Sequence, residues 1–178
     1  MQYIMYGDDM NDPNSLWMVQ NASAYYKLTH AMTPDQVDPA QYAAIYYVGG
    51  HGTMWDLPEH SQLTKITKEI YENEGIVAAV CHGPSGIVNV KLSNGKYLVD
   101  GKKVTAFTNQ EEDAAGQTKN VPFLLESKLK ERGAIFQPAA NWQNNVVVDG
   151  RLVTGQNPAS AGDLAQEIIQ LLAQRKEQ

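Results

Sequence analysis

The sequence predicts an α/β domain with a mostly parallel central sheet, and three observations carry that expectation. Short runs of β-branched and small apolar residues at 43–48, 76–80 and 104–107 read as strands buried on both faces. Each runs directly into a turn of glycine or polar residues. Amphipathic helical patterns at 58–73, at 122–132 and near the C-terminus supply the layers that would cover such a sheet. At 178 residues the chain suits one domain, with an irregular N-terminal part at 1–42 and a core at 43–178.

Composition narrows the partners. Fourteen basic against 20 acidic residues give a net charge of -6, which argues against nucleic acid or an anionic membrane and favours a small neutral or carbonyl compound. A single cysteine rules out an intrachain disulfide, no basic segment leads into an apolar signal core, and no apolar run approaches the ~18 residues of a membrane span. The chain reads as cytosolic.

Taken in order, residues 2–6 could form a brief strand, residues 7–15 are turn chemistry, 16–28 suit a helix, and 31–40, with Pro34 and Pro39, a connection. The strand at 43–48 opens into Gly49-Gly50-His51-Gly52. Backbone amides exposed there can face a developing oxyanion, or the glycines serve only as a flexible link. In the helix at 58–73, Leu63, Ile66, Ile70 and Tyr71 share one face and Lys65, Lys68, Glu69 and Glu72 the other, and Gly75 ends it. A short helix is expected over 84–90, small strands at 97–99 and 134–136, and a β-hairpin over 145–153 around Asp149-Gly150. A C-terminal helix follows with Leu164, Ile168, Leu171 and Leu172 on one face.

The strand at 76–80 ends in Cys81-His82-Gly83-Pro84. Glycine allows an abrupt turn and proline suits a first helical position, so Cys81 stands at a strand-to-helix elbow whose amides and dipole would favour a thiolate. A Cys-His pair needs a third group to orient the imidazole. The acidic run Glu111-Glu112-Asp113 follows the next strand; Glu111 and Asp113 read as a solvated helix start, and Glu112 is open to either role. Asn157 and Ser160 read as helix caps or as pocket residues. All four histidines, His30, His51, His60 and His82, lie at or before the elbow, so a glutaminase or α/β-hydrolase order, with its late histidine, is excluded.

Four motifs in this order, Gly49–Pro58, Val77–Pro84, Phe107-Thr108-Asn109 with Glu111-Glu112, and Gly150–Ser160, resemble the DJ-1/PfpI superfamily. They look most like its glyoxalase III and heat-shock chaperone branch, often labelled class I glutamine amidotransferase-like. The likeness covers about Asp12 to the C-terminus. It implies a flavodoxin-like three-layer sandwich with a nucleophile elbow, commonly a homodimer, that converts methylglyoxal to lactate without glutathione, metal or cofactor. Deglycase and holdase chaperone activities are also attributed to the branch. Carried over, Cys81 is the nucleophile, His82 the proton shuttle and Glu112 the orienting acid. Gly50, His51, Gly52 and Asn157 fall at oxyanion and substrate-binding positions. Members of the branch begin with a central strand, a helix and a glutamate that hydrogen-bonds the nucleophilic sulfur, whereas no glutamate precedes Glu59 here. The expected sandwich is therefore N-terminally shortened: a truncated frame, a fold completed by a partner chain, or a rebuilt sheet. A chain lacking that carboxyl could also be a catalytically impaired, chaperone-like binding protein.

Overall fold

The five residues Ile76–Val80 of strand β2 are all buried, and the rest of the core is arranged around them. A computed structural model describes residues 12–176. The strand expected at 2–6 lies outside the described residues. Those up to Val37 form one unit and those from Asp38 onward a second.

In the first unit, α1 (Pro13–Gln20) and α2 (Ala22–Thr29) replace the single helix expected over 16–28. Asn21 causes the break. Its backbone is extended and its side chain accepts from the Ala24 amide, so it ends one helix and caps the next.

In the second unit, β1 (Ala44–Tyr47) pairs parallel to β2, β2 pairs parallel to β6 (Leu152–Gly155), and β6 pairs antiparallel to β5 (Val146–Asp149). The order is β1-β2-β6-β5. Alternation along β2 splits the core into two layers. Val77 and Ala79 pack on one face with Leu63 and Tyr71 of α4 (Ser61–Glu72), whereas Ile76, Ala78 and Val80 face Leu164, Ile168 and Leu172 of α7 (Ala161–Lys176). Helices on both faces of a mostly parallel sheet make the expected α/β sandwich.

Several boundaries move for identifiable reasons. The helix α4 starts at Ser61 because His60 caps it, its side chain accepting from the Leu63 amide. The expected helix at 84–90 is a 3-10 turn, Gly83–Gly86, because Ile87, Val88 and Val90 are all fully buried and no solvent face remains for an amphipathic helix. The expected strand at 97–99 reduces to one bridge, Lys91 to Tyr97. The strand expected over 104–107 is only β3 (Lys103–Val104), which pairs parallel with β4 (Ile135–Phe136) in a separate small sheet. Thr105 leaves the ladder, its amide donating to Thr154 Oγ1. The hairpin turn is Gly150-Arg151, one residue later than the Asp-Gly signal. Arg151 then stacks on Tyr71 and donates to the Tyr71 and Gly75 carbonyls.

Candidate active site

Cys81 has φ +61°, a conformation unusual for any residue with a Cβ. The strain lies at the end of β2, where the chain reverses into the Gly83–Gly86 turn. Gly83 is required by close approach, since a Cβ there would lie 2.2 Å from the Tyr47 carbonyl oxygen. Gly49 is pressed in the same way on the other side, where a Cβ would sit 2.7 Å from that of Cys81. The two motifs legible in the sequence are thus parts of one elbow.

The sulfur of Cys81 is 3.4 Å from His82 Nδ1, and His82 Nε2 is 2.8 Å from Glu112 Oε2. A carboxylate only accepts, so His82 donates through Nε2 and offers the Nδ1 lone pair to the thiol. Glu112 comes from the first turn of α5 (Asn109–Ala114), and His82 and Glu112 are 1% and 2% exposed. Burial holds His82 below its ordinary pKa, opposed by the Glu112 hydrogen bond, which keeps the ring neutral and available as a base. Burial pushes the Cys81 thiol up to about 11; the His82 and Gly50 amides pull it down, and the Glu111 and Glu112 charges push it up. The expected thiolate is therefore corrected to a resting thiol. A four-residue 3-10 turn lacks the dipole and free amides of a full helix.

The thiol opens into a cavity of about 470 Å³ walled by Tyr46, Val48, Phe107, Trp142 and Pro158. His51 also lines it, with its Nε2 2.8 Å from Glu112 Oε1. Gly50 contributes its amide to the sulfur, but Gly52 lies outside the lining. Asn157 is corrected from pocket residue to cap and support. It is fully buried, accepts from the Ala159 amide, and donates to Glu111 and to the Gln143 carbonyl. Ser160 is likewise turned inward, donating to Asn157 and accepting from the Asn145 amide.

Glu111 is the residue the sequence reading missed. Rather than being solvated it is fully buried, with Oε2 accepting from the Thr108 amide and hydroxyl, and Oε1 from the Trp142 amide and the Gln156 and Asn157 side chains. Burial raises its pKa, yet these donors outweigh burial and hold it below the usual carboxylate value. Thr108-x-x-Glu111 is a capping box, and that spacing was the available signal. Asp113 is exposed, as expected. Trp142, at φ +63° on the cavity rim and edge-on to Phe107, had no sequence signal.

Residues 18–171 match the DJ-1/PfpI family. The chain belongs to that family. It is 36% identical over 155 residues to Glyoxalase 3 of Candida albicans, covering 84% of this chain and 66% of that protein. It is 39% identical over 154 residues to the glutathione-independent glyoxalase HSP31 of Saccharomyces cerevisiae, covering 82% and 64%. The chain thus spans just under two thirds of the length of these relatives. Among solved structures, Rapid Encystment Protein 24 kDa of Francisella tularensis superposes with TM-score 0.87 at 37% identity, covering 90% of this chain and 72% of that one. The glyoxalase III crystal structure from Candida albicans gives 0.83 at 31% identity, covering 93% and 72%. This DJ-1/PfpI chain therefore shares sequence and fold with proteins named as glyoxalases. No helix among the described residues is long and apolar enough to cross a membrane.

Proposed function

We propose that this DJ-1/PfpI chain is a glutathione-independent glyoxalase that converts a 2-oxoaldehyde such as methylglyoxal to the 2-hydroxy acid. The observation that carries the reading is the strained Cys81, with His82 Nδ1 at its sulfur and Glu112 behind the ring, at the floor of an open cavity. The thiol proton passes to His82 Nδ1 as sulfur bonds to the aldehyde carbon, and the carbonyl oxygen takes a proton to give a thiohemiacetal. The Gly50 and His82 amides, already at the sulfur, lie beside the oxygen two bonds away on which charge develops. Loss of the proton on the former aldehyde carbon, with a proton taken up by the ketone oxygen, gives an enediol; protonation of the neighbouring carbon, with loss of the proton on the first oxygen, gives a 2-hydroxy thioester. Water cleaves the thioester and restores the thiol. One carbon is oxidised and its neighbour reduced, so methylglyoxal plus water equals lactic acid and no external electron acceptor is needed. Glu112 keeps the imidazole in the tautomer that can accept the thiol proton.

Hydroxylamine tests the route, because it intercepts thioesters. Protein quenched in acid during turnover and freed of methylglyoxal, which hydroxylamine would otherwise capture as its oxime, releases lactohydroxamate when hydroxylamine is then added; no hydroxamate from a chain quenched while forming lactate overturns the thioester. One observation favours a second reading, a binding or chaperone-like protein: the thiol raised to about 11 rests protonated. A folded chain that retains dicarbonyls or unfolded clients without turnover would favour it.

A further inference from the structure

Glu112 stands between two histidines. His51 Nε2 lies 2.8 Å from Oε1 and His82 Nε2 2.8 Å from Oε2, and the ligand atoms of the three residues lie within 4.8 Å of one another. They come from the loop after β1, the elbow after β2 and the first turn of α5, so the convergence is made by the tertiary fold. Two imidazoles and one carboxylate form a donor set for d-block cations, whereas magnesium and calcium prefer oxygen alone. Zinc bonds of about 2.0–2.2 Å around a tetrahedral centre place ligand atoms roughly 3.3 Å apart. The two 2.8 Å contacts to Glu112 open by about half an ångström, and the two imidazole nitrogens, within 4.8 Å of each other, close onto the same ion. The His51 side chain, 40% exposed and on the cavity wall, can give by that much and also provides the way in. The His82 ring is already oriented, its Nδ1 at Cys81 and its plane between His51 and Phe107, with centroids 4.1 and 4.4 Å away.

We propose that His51 Nε2, His82 Nε2 and the Glu112 carboxylate form a binding site for a divalent cation of the zinc class, and that its occupancy silences Cys81. Each imidazole keeps one proton, moved to Nδ1. In His82 that proton then faces the sulfur, and the nitrogen that would receive the thiol proton is blocked. Cys81 itself lies on the other side of the ring and is not a ligand. Three protein ligands leave a fourth position open to the cavity for water. Only the catalytic consequence of silencing rests on the glyoxalase reading; binding and thiol reactivity are measured without turnover.

Metal-free chain is titrated with zinc ions against a chromophoric chelator. The expected result is one equivalent bound, equally well in Cys81→Ala, and at least about tenfold more weakly in His51→Gln and in Glu112→Gln, each checked for folding by circular dichroism. Saturating zinc changes the rate at which iodoacetamide alkylates Cys81 in the wild type, because the nitrogen 3.4 Å from the sulfur turns from acceptor to donor. The proposal is overturned if the folded chain binds no stoichiometric zinc, if binding is lost in Cys81→Ala and survives in His51→Gln, or if alkylation at saturation is unchanged.

Discussion

Replacing Glu111 by alanine should destabilise the fold far more than replacing a solvated helix-start glutamate would. The side chain accepts five hydrogen bonds, from two backbone amides, one hydroxyl and two carboxamides. Alanine leaves those donors facing a vacated buried space. An unsatisfied buried donor costs about 1–3 kcal/mol, but the Thr108 hydroxyl can turn away and water can enter beside half-exposed Trp142. A net loss of about 3–5 kcal/mol follows, which for a chain of this size lowers Tm by roughly 6–20 °C. Urea denaturation followed by circular dichroism measures it, with Asp113→Ala as the exposed control. Glu111→Gln, which keeps an acceptor oxygen, should lose less. A Glu111→Ala loss below about 1 kcal/mol would refute the view that this carboxylate ties the 108–111 turn to the 142 and 156–157 loops.

Other outcomes follow from the same geometry. Glu112→Gln should lower glyoxalase turnover by about 100- to 10,000-fold with the fold retained, because an amide offers one acceptor where two histidines need two; steady-state rates within a factor of two would contradict its role. Burial pushes the Cys81 thiol from its ordinary 9.0 up to about 11 in the folded chain. Above pH 9 the unfolded chain sheds a proton that the folded chain keeps, so stability declines as pH rises across that window, and the decline should be smaller in Cys81→Ala. Gly83→Ala should cost about 3 kcal/mol or more by chemical denaturation, because its Cβ would strike the backbone of β1 rather than a movable side chain.

The elements that were legible in the sequence are those with one dominant signal. The apolar run of β2, the two-faced pattern of α4 and the Cys-His-Gly-Pro elbow each bury a continuous stripe or force a turn, and tertiary contacts only reinforce them. His82 was legible from its place beside Cys81 and Glu112 through the family motifs, and the fold brings them to 2.8 Å. What escaped depended on long-range pairing. The segment after Val104 has strand composition, but its donors are claimed by Thr154 and by the Cys81 carbonyl. The meaning of Glu111 depends on residues 142, 156 and 157, which no local pattern connects to it. The protonation of Cys81 likewise follows from burial, which a sequence shows only after folding.

The most direct test of the central claim is lactate formation from methylglyoxal by the purified 178-residue chain without glutathione, beside its Cys81→Ala variant. Turnover by the wild type that disappears in the variant is the predicted result. Equal turnover in both, or none from a folded wild type, would contradict a Cys81-centred glyoxalase.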